Sequence, residues 1–395
     1  MNTKLDVAFK FGAGRYIQLP DALKMAGEEI SRFGRKAFII GGPTAISIVQ
    51  EVLTASLTQS HVSYEIKVYP GYTTHEAVNT FAKYCSDNQF DVVVGAGGGK
   101  IMDLAKCIAH VANLPVVNIP TQAATCAAYT PMSVMYTDEG AAYGTVGGNF
   151  YHDYEVSAII VDENIMIYQP PRYAASGILD AMAKFIEVQH GHSEMHYNDF
   201  NIELYTAYTL AKYTYEILDR TCLKVYDDIK NHQLTKEVHD FLFINFAITS
   251  MISGISKAFG QTALAHEMYY CARMYFTKES LAYLHGEIVG TSLILQLAYN
   301  HTPEKIPAFK DFMEKMGMPV TLSELGIPET KDNIKKIYDY LLTTPFIVDT
   351  PENRQTLMDS IKAICKLFAK AFHADTVWKV LTIYISLFIN QFYYI

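Results

Sequence analysis

The sequence is poor in charged residues and has no excess of basic ones. Only 18% of its 395 residues are Asp, Glu, Lys or Arg and half are apolar, which excludes a disordered chain. Asp and Glu outnumber Lys and Arg by 41 to 32, so we expect no nucleic-acid partner, because proteins that bind nucleic acids present a basic surface. The length predicts two or three domains of roughly 100–200 residues each.

The sequence also has little cysteine and no recognisable export signal. Its six cysteines are scattered and form no CxxC pair. In a long chain this pattern is typical of reduced thiols in a cytoplasmic protein rather than of a disulfide framework. The first residues contain no apolar core of the kind found in secretory signals, so we predict a cytoplasmic location.

One segment, residues 380–395, is unusually apolar and contains no charged residue. A membrane-spanning helix needs about 20 apolar residues, and this shorter run also includes Asn390 and Gln391. We therefore predict a segment buried in the protein or in a subunit contact, with a membrane anchor as the lesser alternative. The apolar composition is compatible with a homo-oligomer, which we expect.

The N-terminal part of the chain has the pattern of an α/β fold. Short β-type runs alternate with helical stretches, and the runs occur at 36–42, 63–70, 91–99, 114–121 and 157–162. Such alternation predicts a parallel, doubly wound sheet. After Pro170 helical patterns dominate, at 172–190, 199–220, 235–257, 260–276, 286–299 and 331–342. A domain boundary is therefore predicted near residues 163–171.

A glycine-rich turn, Gly95–Lys100, joins the third of these runs to a helical stretch. Glycines let the backbone approach a ligand closely, and a helix N-terminus offers free N–H groups to an anion. The turn matches neither the P-loop nor the GxGxxG pattern. It predicts a pyrophosphate-binding turn, and the alternative is a tight turn without a ligand.

Three residues far apart in the sequence share one kind of environment. Asp180, His266 and His285 each lie in an otherwise apolar helical stretch. A buried carboxylate needs a partner, and one carboxylate with two imidazoles suits zinc or iron(II). From spacing alone satisfied core residues remain the alternative. The segment HGHSEMH (190–196) offers a second histidine group, which we interpret as solvated loop residues rather than a metal site.

Five segments in order resemble the glycerol dehydrogenase branch of the iron-containing alcohol dehydrogenase superfamily. They are GAGGGKIMDLAK (95–106), PTQAATCAAYTPMSVMY (120–136), PPRYAASGILDAMAKFIE (170–187), LAHEMYY (264–270) and YLHGEIVG (283–290). The resemblance implies a Rossmann-like parallel-sheet domain, an all-helical C-terminal domain and an active site in the cleft between them. We accordingly predict a dinucleotide-binding domain at 1–165, a helical metal- and substrate-binding domain at 166–375, and an apolar tail of unknown role at 376–395.

The resemblance also implies site residues. The metal ligands of this branch fall on Asp180, His266 and His285, through which the catalytic metal would act. The four-ligand iron enzymes have a further histidine where Lys184 stands here, which favours zinc over iron. Cofactor-binding positions for NAD or NADP fall on Gly97, Gly98, Gly99, Lys100, Asp103, Thr121, Thr130, Met132 and Tyr136.

Some positions depart from the family pattern. Cys126 stands where glycerol dehydrogenases have an aspartate that contacts the polyol, and its segment resembles the hydroxycarboxylate dehydrogenase (2-oxoacid reductase) members. A thiol cannot accept a diol's hydrogen bonds as a carboxylate does, so a 2-hydroxy acid is plausible as the substrate. Tyr269 replaces a usual histidine, and Glu267 replaces a small residue beside His266. No acid follows the strand ending at Gly41, so NADP is expected to be tolerated or preferred.

These features predict a metal-dependent NAD(P) oxidoreductase acting on the CH–OH group of a small polyol or 2-hydroxy acid. Two alternatives stay open at this point. One is a dehydroquinate synthase-like cyclase, against which the absence of basic residues in 120–136 argues. The other is a cofactor-binding protein with an eroded site.

Overall fold

The fold is given by a computed structural model that describes residues 8–144, 148–257 and 260–366. Its eight strands are β1 (Tyr16–Leu19), β2 (Lys36–Gly41), β3 (Ser63–Val68), β4 (Val92–Gly97), β5 (Val116–Pro120), β6 (Met132–Val134), β7 (Asn149–Tyr151) and β8 (Ala158–Asp162). Six of them form one parallel sheet in the order β3-β2-β4-β5-β8-β1. The predicted parallel α/β sheet is therefore confirmed, and all five predicted runs contain a strand of it.

Helices connect most strands of the parallel sheet and make up most of the described chain after β8. Those of the first part are α1 (Ala26–Ser31), α2 (Pro43–Gln59), α3 (His75–Asp87), α4 (Gly99–Ala112) and α5 (Glu163–Met166). Those that follow are α6 (Pro171–Val188), α7 (Ile202–Lys230), α8 (Lys236–Phe243), α9 (Thr249–Ile255), α10 (Leu264–Tyr275), α11 (Thr277–Ser280), α12 (His285–Tyr299), α13 (Ile306–Lys315), α14 (Lys331–Leu342) and α15 (Pro351–Lys362). Short 3₁₀ segments lie at Ala22–Met25, Tyr197–Asp199 and Pro303–Lys305, and a π-helical turn at Ile244–Ile248 joins α8 to α9.

The four central strands β2, β4, β5 and β8 are nearly continuous apolar runs and are buried on both faces, whereas the edge strands β1 and β3 are half-buried or exposed. Successive side chains alternate between the faces, so Phe38 and Ile40 join one hydrophobic core while Ala37 and Ile39 join the other. The first core continues into the helical part of the chain and contains Asp180's apolar neighbours on α6.

The strand order creates a crevice at the carboxyl edge of the sheet. β3 lies on one side of β2 and β4 on the other, so the connections after β2 and β4 leave in opposite directions. Gly41 and Ala96 are paired at this edge, directly before the starts of α2 and α4. In open α/β sheets, ligands bind at such a switch point.

One feature, a short hairpin, lies outside the sequence-based expectations. The antiparallel hairpin β6–β7 was not anticipated, because each strand is only three residues long. One helical stretch, Lys236–Ile255, is long and apolar enough to cross a membrane, and 72% of its most apolar window is buried inside the protein. The apolar segment 380–395 and the predicted tail 376–395 lie outside the described residues.

Candidate active site

Three helices bring the carboxylate and the two histidines together. Asp180 comes from the middle of α6, His266 from the first turn of α10 and His285 from the first position of α12. The Nε2 atoms of His266 and His285 lie 3.6 and 3.7 Å from Oδ1 of Asp180. Within the described residues this is the one group of three potential ligands whose donor atoms all lie within 4.8 Å of one another.

Glycines allow the helices to approach closely enough to form this group. A Cβ at Gly177 of α6 would lie 1.8 Å from the carbonyl oxygen of Ala123, and one at Gly286 of α12 would lie 1.9 Å from that of Ser176. Neither distance is compatible with a side chain, so both positions require glycine. They fix the separation of α12 from α6 and of α6 from the loop that follows β5.

Glu187, which the sequence analysis did not single out, holds His266 in place. Its carboxylate faces Nδ1 of His266 and also accepts hydrogen bonds from the backbone N–H groups of Ala263 (2.7 Å) and His266 (3.0 Å). Binding Nδ1–H in this way leaves the lone pair of Nε2 directed toward Asp180. The signal was present in the sequence, because Glu187 is a charged residue inside an apolar helix, as Asp180 is.

Lys184 supplies a buried positive charge beside the triad. Its Nζ donates a hydrogen bond to Oδ1 of Asp180 at 3.3 Å, and both side chains are 2% exposed. Burial alone would raise the pKa of Asp180, but the Lys184 ammonium and the neighbouring imidazoles of His266 and His285 hold that pKa well below its ordinary value of 3.8. The carboxylate is therefore ionised, as a metal ligand must be.

A cavity of about 920 Å³ extends from the triad to the switch point of the sheet. Asp180, His266 and His285 line one part of it, and the loops after β2 and β4 line another. The N-terminus of α4, capped by Gly98, faces this cavity. A Cβ at Gly98 would lie 2.1 Å from Nε2 of Gln122, so a side chain at this position would have to displace the end of the Gln122 side chain.

Most of the predicted cofactor residues are on the cavity wall. The lining includes Gly98, Gly99, Lys100, Asp103, Thr121, Thr130, Met132 and Tyr136, whereas Gly97 is buried behind it. Asp103 is engaged by the protein itself, since its carboxylate pairs with Lys106 (2.9 Å) and accepts from the N–H of Val134 (3.1 Å). Lys106 also donates to the carbonyl oxygens of Thr130 and Met132. This buried pair therefore attaches the loop that carries three of the predicted cofactor residues to α4.

Cys126 lies on the cavity wall beside the triad. Its N–H donates to Oδ2 of Asp180 at 3.4 Å, and its Sγ accepts from the hydroxyl of Thr130 at 3.1 Å. Burial, followed by the nearby Asp180 carboxylate, raises the pKa of the thiol above 9.0. The position that holds an acid in the polyol-specific pattern is therefore occupied here by a neutral group.

Tyr269, the second residue that departs from the family pattern, also lines the cavity beside the triad. Its ring lies 4.3 Å from that of His285, edge to face, and its hydroxyl is hydrogen-bonded to that of Tyr136 at 2.7 Å. The neighbouring Glu267 accepts a hydrogen bond from the Tyr340 hydroxyl at 2.8 Å and so packs against α14 rather than on the triad.

The histidines of segment 190–196 are not assembled into a site. His190 stacks on Tyr299 and its Nε2 lies 2.7 Å from the carbonyl oxygen of Phe346, while His192 and His196 are exposed. The interpretation as solvated loop residues therefore holds for His192 and His196 but not for His190, which is packed into the protein.

Comparisons with known proteins agree with this arrangement. The family model of iron-containing alcohol dehydrogenases matches residues 13–157. A glycerol dehydrogenase of Thermotoga maritima is 29% identical over 322 residues, covering 81% of this chain and 85% of that enzyme. Hydroxycarboxylate dehydrogenase A of Escherichia coli is 27% identical over 76% of this chain and 79% of its own length. The crystal structure of glycerol dehydrogenase from Schizosaccharomyces pombe superimposes with a TM-score of 0.77 at 22% identity, covering 95% of this chain and 94% of that one.

Proposed function

We propose that this protein is a metal-dependent NAD(P) oxidoreductase. The basis is its membership of the glycerol dehydrogenase branch of the iron-containing alcohol dehydrogenase superfamily. It would act on the CH–OH group of its substrate, a small polyol or 2-hydroxy acid. One observation carries the proposal: the Asp180–His266–His285 group and the glycine turn at the start of α4 line the same cavity.

The donor set fits a divalent metal. Ligands about 2.0–2.2 Å from a tetrahedral ion are separated by roughly 3.3–3.5 Å, and the two histidine nitrogens lie 3.6 and 3.7 Å from the Asp180 oxygen. We propose zinc, because Lys184 occupies the place of a fourth protein ligand and three ligands with one open position are typical of catalytic zinc. Iron(II) is the alternative that the same donors allow.

Each of the chain's own residues has a distinct task in this proposal. When bound, the metal supplies a Lewis acid for the substrate oxygen and the nicotinamide supplies the hydride acceptor. His266 is oriented by Glu187, and Asp180 is kept ionised by Lys184. The ring of Tyr269, whose centre lies 4.3 Å from that of His285, would limit the access of water to this side of the triad.

We propose that the turn Gly98–Gly99 and Lys100 bind the cofactor's pyrophosphate. The cavity wall after β2 consists of Gly42, Pro43, Thr44 and other uncharged residues. NAD-specific sites place an acid there for the ribose 2′-hydroxyl, so both NAD and NADP should be accepted.

A substrate screen on metal-analysed protein tests the proposal. NADH and NADPH are supplied separately with dihydroxyacetone, 2-oxobutyrate or 2-oxoglutarate, before and after chelation, and metals are restored singly as zinc, iron(II) and manganese. We expect cofactor oxidation that is lost on chelation and regained with zinc. A preference for 2-oxo acids would assign the Cys126 pocket to hydroxy acids, and one for dihydroxyacetone would assign it to polyols. Absence of turnover from metal-replete protein with every substrate would refute the proposal. The cytoplasmic location and the homo-oligomer remain predictions.

A further inference from the structure

Arg273 is a buried cation without a counter-ion in the described part of the chain. It lies near the end of α10, is nine-tenths buried and lines the cavity. One Nη atom donates to the carbonyl oxygen of Tyr283 at 2.7 Å, but Nε has no hydrogen-bond partner among the described residues and no carboxylate there lies within ion-pair distance. A buried charge left in this way is costly unless a ligand completes it.

The position of Arg273 relative to the triad indicates how far from the triad the anionic group of that ligand would bind. It follows His266 by seven residues on the same helix, about 10 Å of helical rise, and its side chain tilts back toward the helix N-terminus. Its guanidinium carbon lies 5.6 Å from the centre of the Tyr269 ring, which in turn lies 4.3 Å from the ring of His285. A substrate group bound to Arg273 would therefore be separated, along the substrate molecule, by several bonds from the oxygen that binds at the triad.

A second cation, Lys100, lines the same cavity. The Nζ of Lys100 lies 4.3 Å above the ring of Tyr72 and is close enough to Arg273 for the two charges to interact. We have assigned Lys100 to the cofactor's pyrophosphate, because it is part of the glycine turn. Arg273 belongs instead to the helix that carries a candidate metal ligand, which places it on the substrate side.

We propose that Arg273 binds a second, distal anionic group of the substrate, so that the preferred substrates are 2-oxo acids with a terminal carboxylate and the corresponding 2-hydroxy dicarboxylates. The inference rests on the proposed oxidoreductase function. The reduction transfers one hydride from NAD(P)H to the 2-oxo carbon and one proton from solvent to its oxygen, giving NAD(P)⁺ and the 2-hydroxy dicarboxylate. Guanidinium–carboxylate pairing, with two parallel N–H donors, supplies the selectivity.

The test compares 2-oxoglutarate with 2-oxobutyrate, which lacks the distal carboxylate, on the metal-loaded full-length chain. We expect the wild-type protein to favour 2-oxoglutarate in kcat/KM, and Arg273→Met to reduce that preference about 10- to 100-fold, the range of a charged hydrogen bond. Arg273→Lys, which keeps the charge, should lose less. Arg220→Met removes an arginine that is 74% exposed on α7 and should leave the preference unchanged.

Equilibrium binding separates failure of this inference from failure of the proposed function. Glutarate, which cannot be reduced, is titrated calorimetrically against each variant, and NAD(P)H is titrated by its own fluorescence. Glutarate binding that Arg273→Met weakens supports the subsite even if no substrate turns over. Turnover without a preference for 2-oxoglutarate overturns the inference and leaves the proposed function intact. A weaker affinity of Arg273→Met for NAD(P)H, with glutarate binding unchanged, would assign the anion to the cofactor phosphate and also overturn it.

Discussion

Replacing Glu187 by glutamine tests whether metal binding at the proposed site depends on the orientation of His266. The Glu187 carboxylate is 1% exposed and accepts hydrogen bonds at both oxygens, from two backbone N–H groups and from Nδ1 of His266. A glutamine can accept at one oxygen only. If its NH₂ group faces Nδ1, the imidazole proton moves to Nε2, which then cannot bind a metal. If it turns round, its NH₂ group meets the backbone N–H donors.

The magnitude follows from the number of contacts affected. Loss of a group that orients a metal-binding histidine typically lowers metal affinity about 10- to 100-fold, or about 1.4–2.7 kcal/mol. A buried donor left without a partner costs about 1–3 kcal/mol of stability in addition. We therefore expect Glu187→Gln to bind zinc at least about tenfold more weakly, to unfold at lower urea concentration and to recover activity in excess zinc.

Zinc affinity is measured by competition with a chelator on purified protein, and kcat/KM is measured across zinc concentrations. Glu163→Gln is the matched control, because Glu163 is 3% exposed and pairs with Nδ1 of His239 away from the triad. It should alter stability without altering zinc affinity. Equal affinities in the two variants, within about twofold, would show that Glu187 does not orient His266.

Three further predictions concern the structure around the site. Lys106→Met should lower the free energy of unfolding, measured in urea, by about 3–5 kcal/mol, because it leaves the Asp103 carboxylate buried without its cation. Adding Asp103→Asn should restore part of that free energy, and a double variant whose loss equals the sum of the two single losses would contradict the pairing. Burial holds the pKa of His152 well below 6.5, so the contribution of His152 to stability is present above pH 6.5 and is lost as the pH falls through the lower folded-state pKa. Unfolding midpoints measured from about pH 7.5 down to 5 should therefore fall less in His152→Gln than in wild type. An equal fall in the two proteins would refute the assignment. Gly286→Ala should cost about 1–3 kcal/mol and weaken zinc binding, since its Cβ would overlap a carbonyl oxygen, whereas Gly42→Ala, with nothing within 4 Å, should cost less than about 0.5 kcal/mol; equal losses would contradict the close-approach argument.

The fold was predictable where the pattern is long and strongly apolar. Strand β4 was predictable from three consecutive valines followed by glycines, and helix α4 from an uninterrupted helical stretch; the structure contains both. The hairpin β6–β7 was missed because a three-residue strand has no measurable alternation. Helix α7 also runs ten residues past the predicted end at 220, because no glycine or proline stops it before Asn231.

The candidate site was predictable as a set of residue types and, through resemblance, as specific positions. Sequence spacing could not show that Asp180, His266 and His285 converge, because their convergence depends on the packing of three helices. It also could not distinguish a side chain that faces the cavity from one that supports it. Asp103 illustrates this, since its carboxylate is engaged by Lys106 and by the backbone of β6.

One helix nevertheless contained more of the site than the sequence analysis extracted. Asp180, Lys184 and Glu187 lie four and three residues apart on α6, and all three are at most 2% exposed. Residues at this spacing share one face of a helix, so three buried charges in an apolar stretch could be predicted to act together. In the structure Asp180 is a candidate metal ligand, Lys184 is its counter-ion, and Glu187 orients a second candidate ligand, the imidazole of His266. The same reasoning applied to α10 joins His266 to Arg273 two turns later, and the charge of Arg273, unpaired among the described residues, is where we propose that a substrate anion binds.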